Sequence, residues 1–160
     1  MMIKVIRQVA RAFCGHENYP APPQKMGEIT ATELSPILKA QFPGAHISFG
    51  NSNYELMGIY DCLRFLDWYQ DTHPYTLDEY DCNVYAWIMR AEALKWMHGK
   101  FVFGYIEAEG IEPEYTFVNH GFCFLVNWNH KIFYMDELCV AAPADDLEPA
   151  YAVKAYEVRP

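Results

Sequence analysis

The sequence predicts an α+β domain, with helices in its first half and an antiparallel sheet in its second. Three observations predict it. Residues 81–98 repeat apolar side chains at helical spacing around much of the helix circumference. Phe101–Ile106, Tyr115–Val126 and Lys131–Glu137 are dense in aromatic and β-branched residues, as strands are. The two kinds of segment are grouped rather than alternating, which argues against a parallel βαβ chain.

Taken in order, Met2, Val5, Ile6, Val9 and Phe13 fall on one helical face, opposite Lys4, Arg7 and Arg11. Residues 1–14 therefore read as an amphipathic helix, whose basic face suits solvent or a protein partner. Residues 15–29 hold Pro20, Pro22 and Pro23 and read as an irregular arm. Residues 30–160 then form one domain. Thr30 and Glu33 have capping-box spacing and open a helix that Pro43-Gly44 closes. A short strand at Ala45–Phe49 and a turn at Gly50–Asn53 follow. Leu56–Tyr69 fits either a helical face or a strand. The next helix, about Asp81–His98, puts Cys82, Ala86, Met89, Ala93 and Trp96 on one face and Val84, Ile88, Ala91 and Leu94 on the adjacent one, so it reads as central and buried. Gly99 ends it. Asn127–His130 reads as the turn between the last two of the three strands. Pro143–Pro149 reads as a polar loop, and Tyr151–Val158 as a final strand.

Length and composition bound the function. At 160 residues the chain suits a single core, and 52% apolar content argues against extensive disorder. A net charge of −9 is the wrong sign for a general nucleic-acid surface. No apolar run approaches the ~20 residues of a membrane span. Lys4, Arg7 and Arg11 interrupt the N-terminus, so it does not read as a signal peptide. Five cysteines (Cys14, Cys62, Cys82, Cys123 and Cys139), with no Cys-x-x-Cys, predict free thiols in a reducing, cytoplasmic setting. All but Cys82 read as small buried hydrophobes. No compact Cys/His quartet, glycine-rich phosphate loop or Gly-x-Ser-x-Gly occurs. Neither a metal nor another cofactor is expected.

Three stretches carry the chemistry: Tyr80-Asp81-Cys82-Asn83-Val84-Tyr85-Ala86, then Asn119-His120-Gly121-Phe122, then Phe133-Tyr134-Met135-Asp136-Glu137. With Asp81 as the cap, Cys82 stands at a helix start, where unpaired N–H groups and the helix dipole favour a thiolate and an oxyanion. The backbone of Cys82, with Asn83, is the expected oxyanion donor. Thr76 and Glu79 offer a competing capping box that would bury Cys82 deeper in the helix. His120 lies inside an aromatic strand and needs a hydrogen-bond partner there. His16, His46, His73, His98 and His130 fall in turns, termini or polar runs. Side chains alternate along strands, so hairpin parity selects the acid. An even loop after Val126 puts Glu137 on the face of His120, and an odd loop selects Asp136. The four-residue turn favours Glu137, with Asp136 as the alternate.

An ordered thiol, imidazole and carboxylate on a helix start and two strands resembles the papain-like and transglutaminase-like cysteine enzymes. In pattern it is similar to the cysteine-protease domain at the C-terminus of a mushroom agglutinin and to related small stand-alone domains. Cys82 to His120 is 38 positions and His120 to Glu137 is 17, which suits that compact layout. The resemblance covers roughly Leu56–Leu138. It implies a central helix carrying Cys82 on a small antiparallel sheet carrying His120 and the acid. It also implies a cysteine-dependent hydrolase or acyltransferase acting on peptide, isopeptide or glutamine amide bonds. The alternative is a papain-fold binding or adaptor protein without catalysis. The chain departs from the pattern at Asn83, where related domains often have an acid, and at Gly121, where Ala is commoner. No motif assigns Gln70 to the oxyanion site.

Overall fold

The structure, a computed structural model, describes residues 19–74, 82–111, 116–135, 141–143 and 152–160. Among them lie strands β1 (Gly27–Thr30), β2 (His46–Ile47), β3 (Asn53–Leu56), β4 (Phe103–Ile111), β5 (Thr116–Val126), β6 (Ile132–Met135), β7 (Ala141–Pro143) and β8 (Ala152–Arg159). The helices are α1 (Ala31–Gln41), α2 (Ile59–Thr72) and α3 (Cys82–Trp96). The class is α+β, as the sequence predicts. The expected N-terminal helix over residues 1–14 lies outside the described residues.

Local signals explain the helices. Thr30 caps α1: its hydroxyl accepts from the Glu33 N–H, and the Glu33 carboxylate accepts from the Thr30 N–H, closing the capping box. Gly58 opens α2, which resolves the Leu56–Tyr69 ambiguity: the segment ends a strand and then turns helical. At the end of α3, His98 and Gly99 adopt left-handed φ values of 53° and 70°, and the Gly99 N–H donates to the Leu94 carbonyl.

The main sheet has the order β2-β8-β4-β5-β6-β7, and β1 pairs separately with β3. It is antiparallel except that β2 runs parallel to β8. The expected strand Ala45–Phe49 is thus shorter, and its partner is the last strand of the chain. The segment after residue 140 also differs from expectation. Ala141–Pro143 is a strand at the sheet edge, where a proline costs no ladder bond.

Alternation along β5 divides the core. Cys123 and Leu125 join Phe103, Tyr105 and Met135 beneath α2 and α3, while Phe122, Phe124 and Val126 join Tyr134 and the buried face of α1. Helix α3 is not buried all round. Ala86, Met89, Ala93 and Trp96 face the core as expected, but Val84 and Trp87 are exposed.

The proline-rich arm is anchored rather than loose from Tyr19 onward, and it ends earlier than expected because 27–30 form β1. The Trp96 indole donates to the carbonyls of Pro20 (3.0 Å) and Ala21 (3.1 Å), and the Tyr19 ring lies 4.7 Å from that of Trp68. Glu92, buried on α3, accepts from the Tyr19 hydroxyl and the Lys95 ammonium. Burial pushes the Glu92 carboxyl up, but these hydrogen bonds and the Lys95 and His73 charges outweigh it and hold the carboxyl below the ordinary value. A carboxyl depressed in the fold contributes stability above its unfolded value and loses it as pH falls through the folded one. Thermal melts from pH 7 to pH 3 should therefore fall more steeply for the native chain than for Glu92→Gln. Parallel curves would remove Glu92 from the acid response.

Candidate active site

The C-terminus of α2 seats the first turns of α3. The Tyr85 hydroxyl donates to the His73 carbonyl at 2.8 Å, and the Tyr69 hydroxyl donates to the Tyr85 carbonyl at 3.3 Å. The Tyr69 and His73 rings stack with centroids 4.6 Å apart. Cys82 is the first described residue of α3 and is partly exposed, whereas Cys62 and Cys123 are fully buried. Cys62 approaches the Met135 sulfur at 3.4 Å, and burial pushes its thiol up to about 12. The Cys123 thiol donates to the Ala86 carbonyl at 3.2 Å. Among the described cysteines, Cys82 alone is accessible. The expectations for Cys14 and Cys139, and the caps Asp81 or Thr76, lie outside the described residues.

Strand β5 passes directly against this turn of α3. A Cβ added at Gly121 would lie 2.4 Å from Asn83 Oδ1, 2.8 Å from Asn83 Cα and 2.9 Å from the Tyr105 hydroxyl oxygen. Glycine at 121 is therefore what the close approach of strand to helix requires. The commoner Ala would not fit at this distance. His120 is the neighbouring residue of β5, opposite Ala108 of β4. Both ladders of β4 change register at this level: the β5 ladder between Ala108 and Gly110, the β8 ladder between Glu107 and Ala108. The β4–β5 register is unbroken from Phe103↔Leu125 through Ala108↔His120 and shifts only beyond it, so the alternation that sets Phe122 and Phe124 is not interrupted at position 120.

The hairpin register differs from the expected one. Val126 pairs with Ile132, so the loop is 127–131, an odd number of residues. The Asn127 side-chain oxygen accepts from the N–H groups of Asn129 (3.0 Å) and Lys131 (2.9 Å), and His130 takes a left-handed φ of 60°. These bonds hold one more residue in the loop than the sequence suggested. The even-loop premise behind Glu137 is not met, and by the same parity rule an odd loop selects Asp136. Asp136 and Glu137 themselves lie outside the described residues.

The structure adds residues that sequence reasoning left as ordinary strand and helix positions. Tyr105 is buried and its hydroxyl donates to Asn83 Oδ1 at 3.4 Å. Burial raises its ionisation above the ordinary phenol value. A Trp87 hydrogen bond opposes this, and the negative charges of Glu107 and of ionised Cys123 and Cys82 reinforce it. Glu107 lies opposite Gly121 across the ladder. The Trp87 ring packs on Tyr105 with centroids 5.1 Å apart, and the Arg159 guanidinium sits 5.6 Å from the Trp87 ring centre. No signal in one sequence separates these aromatics from core residues, because their spacing is the spacing of the core. Among the described residues no cluster of His, Cys, Asp and Glu could hold a metal, and no helix is long and apolar enough to cross a membrane.

No family model and no curated protein matches the chain. A solved structure of a PSL1a–E64 complex shares its fold, with a TM-score of 0.60 over 82% of this chain at 14% identity. This chain spans 50% of that protein.

Proposed function

We propose that the chain is a cysteine-dependent hydrolase or acyltransferase of the papain-like or transglutaminase-like type, acting on peptide, isopeptide or glutamine amide bonds. The observation that carries the reading is Cys82: a partly exposed thiol on the first described turn of α3, the turn that abuts β5 at Gly121. The fold likeness adds support, since the PSL1a structure is a complex with E64, a cysteine-protease inhibitor.

In this reading Cys82 Sγ attacks the amide carbonyl and His120 accepts the thiol proton. The tetrahedral oxyanion is met by N–H groups at the start of α3, those of Cys82 and Asn83. Collapse breaks the C–N bond, His120 returns the proton to the leaving amine, and a thioester remains on Cys82. Water releases it in hydrolysis, and an amine releases it in transfer. Asp136 or Glu137 holds the imidazole in the productive tautomer.

The test is covalent labelling. The native chain, treated with E64 or iodoacetamide near pH 7 and digested, should carry its adduct on Cys82, with Cys62 and Cys123 unmodified. An inert Cys82 would return the chain to the binding-protein alternative. The odd hairpin loop adds a second expectation: Asp136→Asn should slow labelling or turnover by about tenfold or more, and Glu137→Gln by less. The reverse order would restore Glu137 as the orienter.

A further inference from the structure

Of the six large apolar side chains that the described residues leave exposed, four gather at the start of α2. They are Met26 (50% exposed), Tyr60 (80%), Leu63 (39%) and Trp128 (48%). Three separate segments bring them together around Met57 and Gly58. The Met26 N–H donates to the Leu56 carbonyl at 2.8 Å, and its sulfur lies 3.0 Å from where a Cβ on Gly58 would stand. The Trp128 N–H donates to the Met57 carbonyl at 3.1 Å. Tyr60 and Leu63 follow on the first turns of α2, three apart and so on one face. Apolar side chains exposed singly are ordinary, but four grouped on bonded backbone form a prepared surface. Tyr, Trp and Met are also among the residues enriched at protein interfaces.

The charges at its rim decide what partner fits. Lys25 pairs with Glu28 and Glu55, and Arg64 pairs with Asp61, which also accepts from the Gln24 N–H at 2.9 Å. Lys131 adds a cation in the loop of Trp128. Around this patch three cations balance three carboxylates, whereas the whole chain carries −9. Two molecules of such a chain repel each other wherever their surfaces keep that excess. A balanced apolar patch is where they approach without that repulsion, and a two-fold axis sets its mixed rim against itself, cation to carboxylate. A basic partner would be drawn instead to the acidic surface elsewhere. We infer that this patch is a dimer interface, in which Met26, Tyr60, Leu63 and Trp128 of two copies pack together. It lies at the opposite end of α2 from the candidate active site, about 20 Å along the helix. The inference is therefore independent of the reading of Cys82.

The test is sedimentation equilibrium of the full chain from about 1 to 200 µM, a range that spans ordinary dimer constants. The native chain should pass from its own mass to twice that mass as concentration rises. Tyr60→Ser and Trp128→Ser, both surface changes, should each weaken the dimer about tenfold or more. Val84→Ser, at an exposed position on α3, should leave it unchanged. Raising NaCl from about 0.05 to 0.5 M should strengthen the dimer, because salt screens the repulsion between two acidic chains. Thermal melts of each variant verify folding. A native chain that stays monomeric throughout overturns the inference. So does a dimer that ignores both Tyr60→Ser and Trp128→Ser. A dimer that weakens with salt overturns it as well, since basic residues such as Lys4, Arg7 and Arg11 would then hold the second copy by charge.

Discussion

Cys82→Ala should abolish both E64 labelling and amide turnover while leaving the melting temperature nearly unchanged. Removing the nucleophile of a triad costs on the order of 10⁶ in rate, which here means no detectable product. The stability expectation follows from position. Cys82 is partly exposed, so truncating it opens no sealed cavity, and Ala is the better helix former by up to ~0.7 kcal/mol. Cys62→Ala should behave in the opposite way. Cys62 is fully buried among Phe65, Leu66 and Met135, so losing its sulfur leaves a void in packed surroundings. A loss of about 1 kcal/mol, a few degrees in melting temperature, is expected with labelling at Cys82 intact. The crossed pattern separates chemistry from packing. An E64 adduct that persists in Cys82→Ala, on Cys14 or Cys139 for example, would remove Cys82 as the nucleophile.

Much of this arrangement was legible in the sequence because the signals are local. A capping box at Thr30 and Glu33 satisfies backbone groups within one turn, so it marks the start of α1 whatever surrounds it. The apolar face of α3 and the aromatic density of β4, β5 and β6 are likewise properties of short windows. What was not legible depends on distant partners. The hairpin loop gains a residue because the Asn127 side chain turns back on its own backbone, and because the Trp128 N–H donates to the Met57 carbonyl at the start of α2. The sequence around Asn127 does not contain Met57. The parallel pairing of β2 with β8 joins segments that only the complete fold brings together. For the same reason Val84, at helical spacing with Ile88, Ala91 and Leu94, reads as core until the fold is seen to leave it exposed.

Gly121 joins the local and the distant lessons, and its substitution should have the largest structural effect on the site. In the sequence it is a departure from the pattern that its neighbours follow. In the fold it is the point where β5 touches α3, and an alanine methyl would overlap the Asn83 backbone at 2.8 Å. Backbone on a packed helix does not yield as a side-chain tip does, so Gly121→Ala should separate the strand from the turn that carries Cys82. Overpacking of this kind costs about 1–3 kcal/mol, or roughly 3–10 °C in a domain of this size. Displacements of an ångström between reacting groups cost on the order of 100-fold, so labelling of Cys82 by E64 should fall by that order. Gly104 supplies the control. A Cβ there would lie 2.1 Å from the ring of buried Phe124 and 2.7 Å from the Arg159 carbonyl oxygen, a clash at least as severe but within the sheet and toward the α1 face. Gly104→Ala should therefore lose comparable stability. Measured well below its melting temperature, it should keep most of the Cys82 reactivity. If the two variants lose reactivity in proportion to stability, the close approach at Gly121 is only packing. If Gly121→Ala alone loses it, the contact between β5 and the first turn of α3 is what aligns the site.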